Sequence, residues 1–239
     1  MASAEAREDR LLDRFAPNLW LADGPVVRFG PGFPYPTRMA IVRLGDGTLW
    51  VWSPIALDDA LVKAVEALGH VRHLVAPNKL HHLFLEDWAQ RFPDARLYAA
   101  PGLARKRRDL SFDAELGDAP DPSWADDLDQ VVFRGSFFLD EVVFFHRASR
   151  TVLVTDLVQR FAPDQVRGLS GWIMRVWGLV GERGSTPLEW RASFWNRRAA
   201  RAALEEALAW NPEKLVIAHG MCAPENGRAV LASGLRWLR

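Results

Sequence analysis

The chain has 239 residues, 49% of them hydrophobic and 25% charged, enough to build one large domain with a sizeable core. Its 30 basic and 30 acidic residues cancel, so the net charge gives no reason to expect nucleic acid or a membrane surface as a partner. The single cysteine, Cys222, excludes an internal disulfide and a thiolate zinc cluster.

The opening MASAEAREDR lacks the apolar core of a secretory signal. A frayed or helical leader over residues 1–16 and a single domain over 17–239 are expected, with the cytoplasm as location. Residues 18–22 and 26–29 read as strands, separated by a turn at Asp23-Gly24-Pro25. Three prolines in PGFPYPTR, residues 31–38, point to an extended loop. Residues 39–44 and 48–52 flank Gly45-Asp46-Gly47, a hairpin signal.

From residue 58 the texture changes to helices alternating with strands. Apolar side chains at 61, 62, 65 and 68 have helical spacing. A strand follows over 72–76, a helix over 83–92, a strand over 96–99 and a helix from Pro101. Such alternation implies parallel strands with helices packed on them. The basic run Arg105-Lys106-Arg107-Arg108 precedes an acidic segment over 113–129, itself expected as a loop, and the two read as a solvated, self-compensating surface rather than a phosphate-binding patch. Strands are expected over 130–133, 141–145, 150–155 and 215–218. Helices are expected over most of 157–185, over 188–210 as one long element, and over 224–238. The eleven tryptophans are scattered, which suits packing better than ligand stacking. Sheet and helices followed by sheet and helices suggest an α/β fold of two half-domains, a four-layer αββα sandwich of two mixed sheets flanked by helices.

The residues with chemistry sit at strand ends, where α/β folds place their sites. His81 and His82 follow the strand over 72–76, Asp156 follows that over 150–155, and His219 follows that over 215–218. The histidine pair reads as metal ligands, an acid/base pair or loop filler. Three imidazoles and a carboxylate form a ligand set for zinc, iron or manganese, needing no unusual protonation near neutral pH. Strand-end histidines serve equally often to cap helices or bond loop carbonyls. Lys79 reads as a surface lysine, or as a cation that balances Asp156, orients an anionic or carbonyl substrate, or acts as a base when desolvated. Asn78 and Tyr35 are candidate substrate contacts. The proline-rich loop and the segment over 169–180 are expected to line a pocket or join two copies in a homodimer.

On these residues the chain resembles the metallo-β-lactamase superfamily, in an uncharacterised bacterial branch. The superfamily motif His-x-His-x-Asp-His falls on Pro77-Asn78-Lys79-Leu80-His81-His82. Asp156 in TVLVTDL matches its strand-end aspartate and His219 in LVIAHG its last histidine. Pro77 and Lys79 replace the two opening histidines, and residues 135–139 offer no third ligand, so the resemblance implies that the first of two metal sites is dismantled. It implies at most one divalent metal on His81, His82, Asp156 and His219, with His81 standing for a carboxylate. The expectations that follow are a mononuclear hydrolase of an ester, lactone or thioester, with Lys79 and Asp156 at the chemistry, or a metal-free relative binding a small molecule or a protein.

Overall fold

The computed structural model describes residues 11–29 and 33–239; most of the expected leader, residues 1–10, and the start of the proline-rich stretch around Pro31, residues 30–32, lie outside them. The chain divides into two compact units, Met1–Val26 with Pro36–Leu116, and Val27–Tyr35 with Gly117–Arg239. No helix among the described residues is long and apolar enough to cross a membrane.

The first unit is built on a seven-stranded sheet whose spatial order follows the sequence: β1 (Asp13–Ala16), β2 (Leu19–Phe29), β3 (Phe33–Arg43), β4 (Leu49–Trp52), β5 (Val71–Ala76), β6 (Arg96–Ala99) and β7 (Ala114–Glu115). The β3–β4 hairpin is antiparallel and β4 to β7 run parallel, as the alternation predicts. At the hairpin turn Asp46 Oδ1 accepts from the backbone N–H and the hydroxyl of Thr48. The parallel strands are joined by α1 (Asp59–Leu68), α2 (Leu85–Arg91) and the single turn α3 (Leu103–Lys106). Asp58 caps α1 by accepting from the Leu61 N–H at 2.7 Å, and α1 buries Leu61, Val62 and Val65. In α2, Trp88 is fully buried and donates its indole N–H to the Ile55 carbonyl at 2.7 Å.

Two expectations fail here for a shared reason. The segment 23–25 is not a turn, and residues 33–38 of the proline-rich stretch are not a loop; they lie inside long strands, β2 and β3. A proline is tolerated in a strand where its missing N–H has no partner. Among the described residues β1 pairs with β2 only from Leu19 to Leu21, so Pro25 lies past the end of that ladder. In β3 the Arg43 N–H points to the β2 side, donating to Asn18. By alternation Pro34 and Pro36 face the opposite side, where pairing to β4 begins only at Ala40. Residues 13–16 of the expected leader form β1.

The second unit holds a four-stranded sheet in the order β11-β10-β9-β8, from β8 (Leu128–Phe133), β9 (Glu141–His146), β10 (Thr151–Val154) and β11 (Lys214–Ile217). Only the β10–β11 pair is parallel. Both sheets are therefore mixed and flanked by helices, as expected. The helices are α4 (Gly168–Val176), α5 (Leu188–Ser193), α6 (Arg197–Ala209) and α7 (Gly227–Gly234); α6 packs on β8 and α7 on β11. The long helix expected over 188–210 is two. Ser136 bridges to Phe194 and the Asn196 N–H donates to the Gly135 carbonyl, which tethers the chain between α5 and α6. Asn196 then caps α6 by accepting from the Ala199 N–H. Residues 157–185 are helical only in α4; isolated bridges such as Gln159 to Ser185 and Phe161 to Val180 hold the rest. His146 is buried, and its Nδ1 lies 2.7 Å from the hydroxyl of Ser149 in the turn that follows β9.

The exit of β11 depends on Gly220, which has φ +108° and bridges to Arg160. A Cβ there would collide with the Arg160 carbonyl. Gly220→Ala is expected to cost more than about 3 kcal/mol, measured as a fall in the denaturation midpoint. Gly117→Ala, at an open position, should leave the midpoint almost unchanged.

Candidate metal centre

In the first unit the chain leaves β5 through Pro77 into a tight turn. Asn78 is fully buried, and its Oδ1 accepts from the N–H groups of Leu80 at 2.7 Å and His81 at 3.2 Å. An asparagine side chain that mimics the backbone in this way fixes the turn, so Asn78 acts on the loop that carries His81. His81 is half-buried, with Nδ1 2.6 Å from the Ser53 hydroxyl. Ser53 closes β4 with φ 54° and donates its N–H to the Val75 carbonyl. A hydroxyl at Nδ1 leaves Nε2 as the nitrogen available to a metal, the arrangement that fixes ring orientation in many metal sites.

His82 turns elsewhere. Its Nδ1 lies 3.1 Å from Arg107 Nη1, and the same guanidinium pairs with Asp109 and Glu86. Burial, with Lys106 and Arg107 nearby, lowers the His82 pKa to about 4; the ring is neutral at ordinary pH, accepting from arginine. Lys79 lies partly buried on the same turn, and its carbonyl accepts from Lys106 Nζ at 2.7 Å.

In the second unit Asp156 and His219 emerge from the ends of β10 and β11, which are parallel neighbours in register from Thr151 and Lys214 to Val154 and Ile217. Both are buried, and His219 Nε2 stands 3.2 Å from Asp156 Oδ1. Behind them lies Glu141, at the start of β9 and fully buried. Its carboxylate accepts three successive backbone N–H groups, from Thr155 at 2.7 Å, Asp156 at 2.8 Å and Leu157 at 3.2 Å. Burial first, and then the Asp156 charge, push the Glu141 pKa above the ordinary carboxylate range, against the three hydrogen bonds. Tyr35 packs edge-on to His219 with ring centroids 5.3 Å apart, and burial, then the Asp156 and Glu189 charges, raise its pKa to about 12. Its phenol is therefore a neutral hydrogen-bonding group. Cys222 is half-buried and spends its thiol on the Ile217 backbone.

Among the described residues, the imidazole and carboxylate side chains that could serve as metal ligands are His81 in the first unit and the adjacent Asp156 and His219 in the second. Two imidazoles and one carboxylate suit zinc, iron(II) or manganese. Ser53 behind His81 and Glu141 behind the Asp156 peptide supply the outer support that such ligands need, so the residues present fit one divalent ion. His82, expected as a fourth ligand, is taken up by Arg107. Ser53, Glu141, Gln159 and Arg107 were not among the expected site residues. Only Glu141 carries a sequence signal, a carboxylate directly before the apolar run VVFF.

A comparison with curated proteins finds no match to the sequence. Solved structures match it as a fold. The metallo-β-lactamase from Pontibacter korlensis is 12% identical, with TM-score 0.62 over 95% of this chain and 97% of that one. The metallo-β-lactamase FIM-1 from Pseudomonas aeruginosa, in its mono-zinc form, is 14% identical, with TM-score 0.59 over 91% and 89%. Rubredoxin:oxygen oxidoreductase from Desulfovibrio gigas is 12% identical, with TM-score 0.62 over 95% of this chain and 61% of that one. The fold is that of the metallo-β-lactamases, as the motif implies. Within it, a family profile matches residues 33–167, more than half of the sequence, and the chain belongs to that family, Domain of unknown function (DUF4336).

Proposed function

We propose that this protein binds one divalent metal through His81, Asp156 and His219 and hydrolyses an ester, lactone or thioester. The observation that carries the reading is the buried contact between Asp156 and His219 at two adjacent strand ends, where a carboxylate and an imidazole are held without solvent. The mono-zinc form of FIM-1, a protein of this fold, supports a single ion. When bound, such an ion polarises a carbonyl or lowers the pKa of water toward neutrality. The chain's own residues do the rest: Ser53 orients the His81 ring, Glu141 fixes the peptide that carries Asp156, and Tyr35 offers a phenol proton beside His219 to a developing oxyanion. Lys79, two residues before His81, adds positive charge to that loop. A cytoplasmic location and a homodimer remain part of this reading.

A second reading, a metal-free relative that binds a small molecule or a protein, draws on the same contact. Asp156 and His219 already answer each other, and Gln159 Nε2 reaches Asp156 Oδ1 at 3.5 Å, so the pair is stable as a polar network.

Elemental analysis of the purified protein separates the two. About one metal per chain is expected, lost in Asp156→Ala and in His219→Ala but retained in His82→Asn. No metal in the parent after dialysis against zinc, iron and manganese would leave the binding protein. Ser53→Ala should weaken metal affinity about 10- to 100-fold, followed by competition with a chelating dye, while Ser53→Thr restores it in part. Glu141→Gln turns an amide N–H₂ against a buried N–H and should cost about 1–3 kcal/mol of stability, read in a urea titration, with reduced metal content.

A further inference from the structure

The basic run over 105–108 is not compensated by the acidic segment that follows it. Asp113 pairs with Arg96, Asp118 with Arg134 and Asp129 with Arg147. Within the run, Arg107 is neutralised by Asp109 and Glu86. Lys106 and Arg105 are not; together with Lys79 they make no ion pair among the described residues. These three cations gather at one place in the first unit. Lys106 Nζ is pinned to the Lys79 carbonyl at 2.7 Å. At Gly102, the residue before α3, an added Cβ would stand 3.3 Å from Arg105 Nη2 and 3.6 Å from Lys79 Cδ. The carboxylate that reaches the spot, Glu115, accepts the Gly102 N–H at 3.2 Å and forms no ion pair with any of the three cations.

Unpaired like charges held together cost free energy unless something answers them. That cost is visible in Lys106, whose pKa is lowered by burial first and then by Lys79 and Arg107. A lysine tied to a backbone carbonyl has also given up part of its freedom, so an anion arriving there has less ordering to impose. Arginine beside two lysines offers a planar donor fork and two point charges, a set suited to a phosphate or carboxylate group.

We propose that Lys79, Arg105 and Lys106, converging at Gly102 on the turn that carries His81, form an oxyanion-binding subsite that receives a phosphate or carboxylate group of the substrate. The inference deepens the hydrolase reading, on which its role as a substrate subsite rests: the ester, lactone or thioester is an anionic one. The same chemistry serves a phosphorylated or a carboxylated molecule.

Calorimetric titration of inorganic phosphate and of malonate, into the protein as purified and after chelator treatment, tests the subsite apart from any metal. One saturable site per chain is expected in both preparations, for phosphate, malonate or both, and the stronger anion names the substrate group. Lys79→Met and Lys106→Met should each weaken binding at least about tenfold, while Arg108→Met leaves it unchanged. Circular dichroism and melting of each variant exclude loss of fold. Absence of binding, binding that survives both lysine variants, or binding that vanishes with the metal would overturn the subsite. Metal content measured on the same preparations reports on the metal reading separately.

Discussion

One buried carboxylate sets the second unit's chemistry. Glu141 has no exposure, and it answers three consecutive N–H groups at the point where β10 ends. An anion in such a place is tolerated because its lone pairs are filled by backbone donors. The donors belong to residues 155–157, where the chain leaves the sheet after β10. The result is a fixed exit: residues 155–157 cannot shift without orphaning a buried charge. Asp156 is the middle residue of the three, so its side chain leaves from the most constrained peptide in the turn. The parallel register of β10 with β11 then carries His219 to the same edge.

The first unit uses a different device for the same end. Asn78, fully buried, closes the turn after β5 on itself, and Ser53 reaches His81 from the neighbouring strand end in a left-handed backbone conformation. A serine at positive φ carries some strain, here tied to holding the Nδ1 edge of the ring. Neither residue is distinctive by type. Their roles arise from β4 and β5 lying side by side, with Ser53 donating its N–H to Val75.

How much of this was legible follows from where each signal lives. The parallel run from β4 to β6 could be read from apolar periodicity, and the three strand-end residues from their places after apolar runs, because both are local patterns; β7 lies in a segment that reads as a loop. Pro25, Pro34 and Pro36 misled because whether a proline breaks a strand depends on which edge is paired, a property of the sheet and not of the segment. The break at Phe194 to Asn196 was hidden for a similar reason: Gly135 and Ser136, far away in sequence, hold it. His82 looked equivalent to His81 by adjacency alone. Successive residues on a turn face different ways, and Arg107 took one of them. The charges of the 105–108 run were read by proximity in sequence, whereas its acidic neighbours pair with arginines of β6, β8 and the loop after β9.

Electrostatics connect the departures from the superfamily motif. A divalent ion, were one held by two neutral imidazoles and one carboxylate, would keep a net charge of about plus one, where a site richer in carboxylates would be neutral. The loop that carries His81 bears Lys79 instead of a further ligand, and Lys106 is pinned to it. Cations that share one stretch of surface without an ion pair favour any anion that comes between them. A neutral substrate gains nothing from that field. An anionic one gains at the moment of binding, and the gain grows as water leaves.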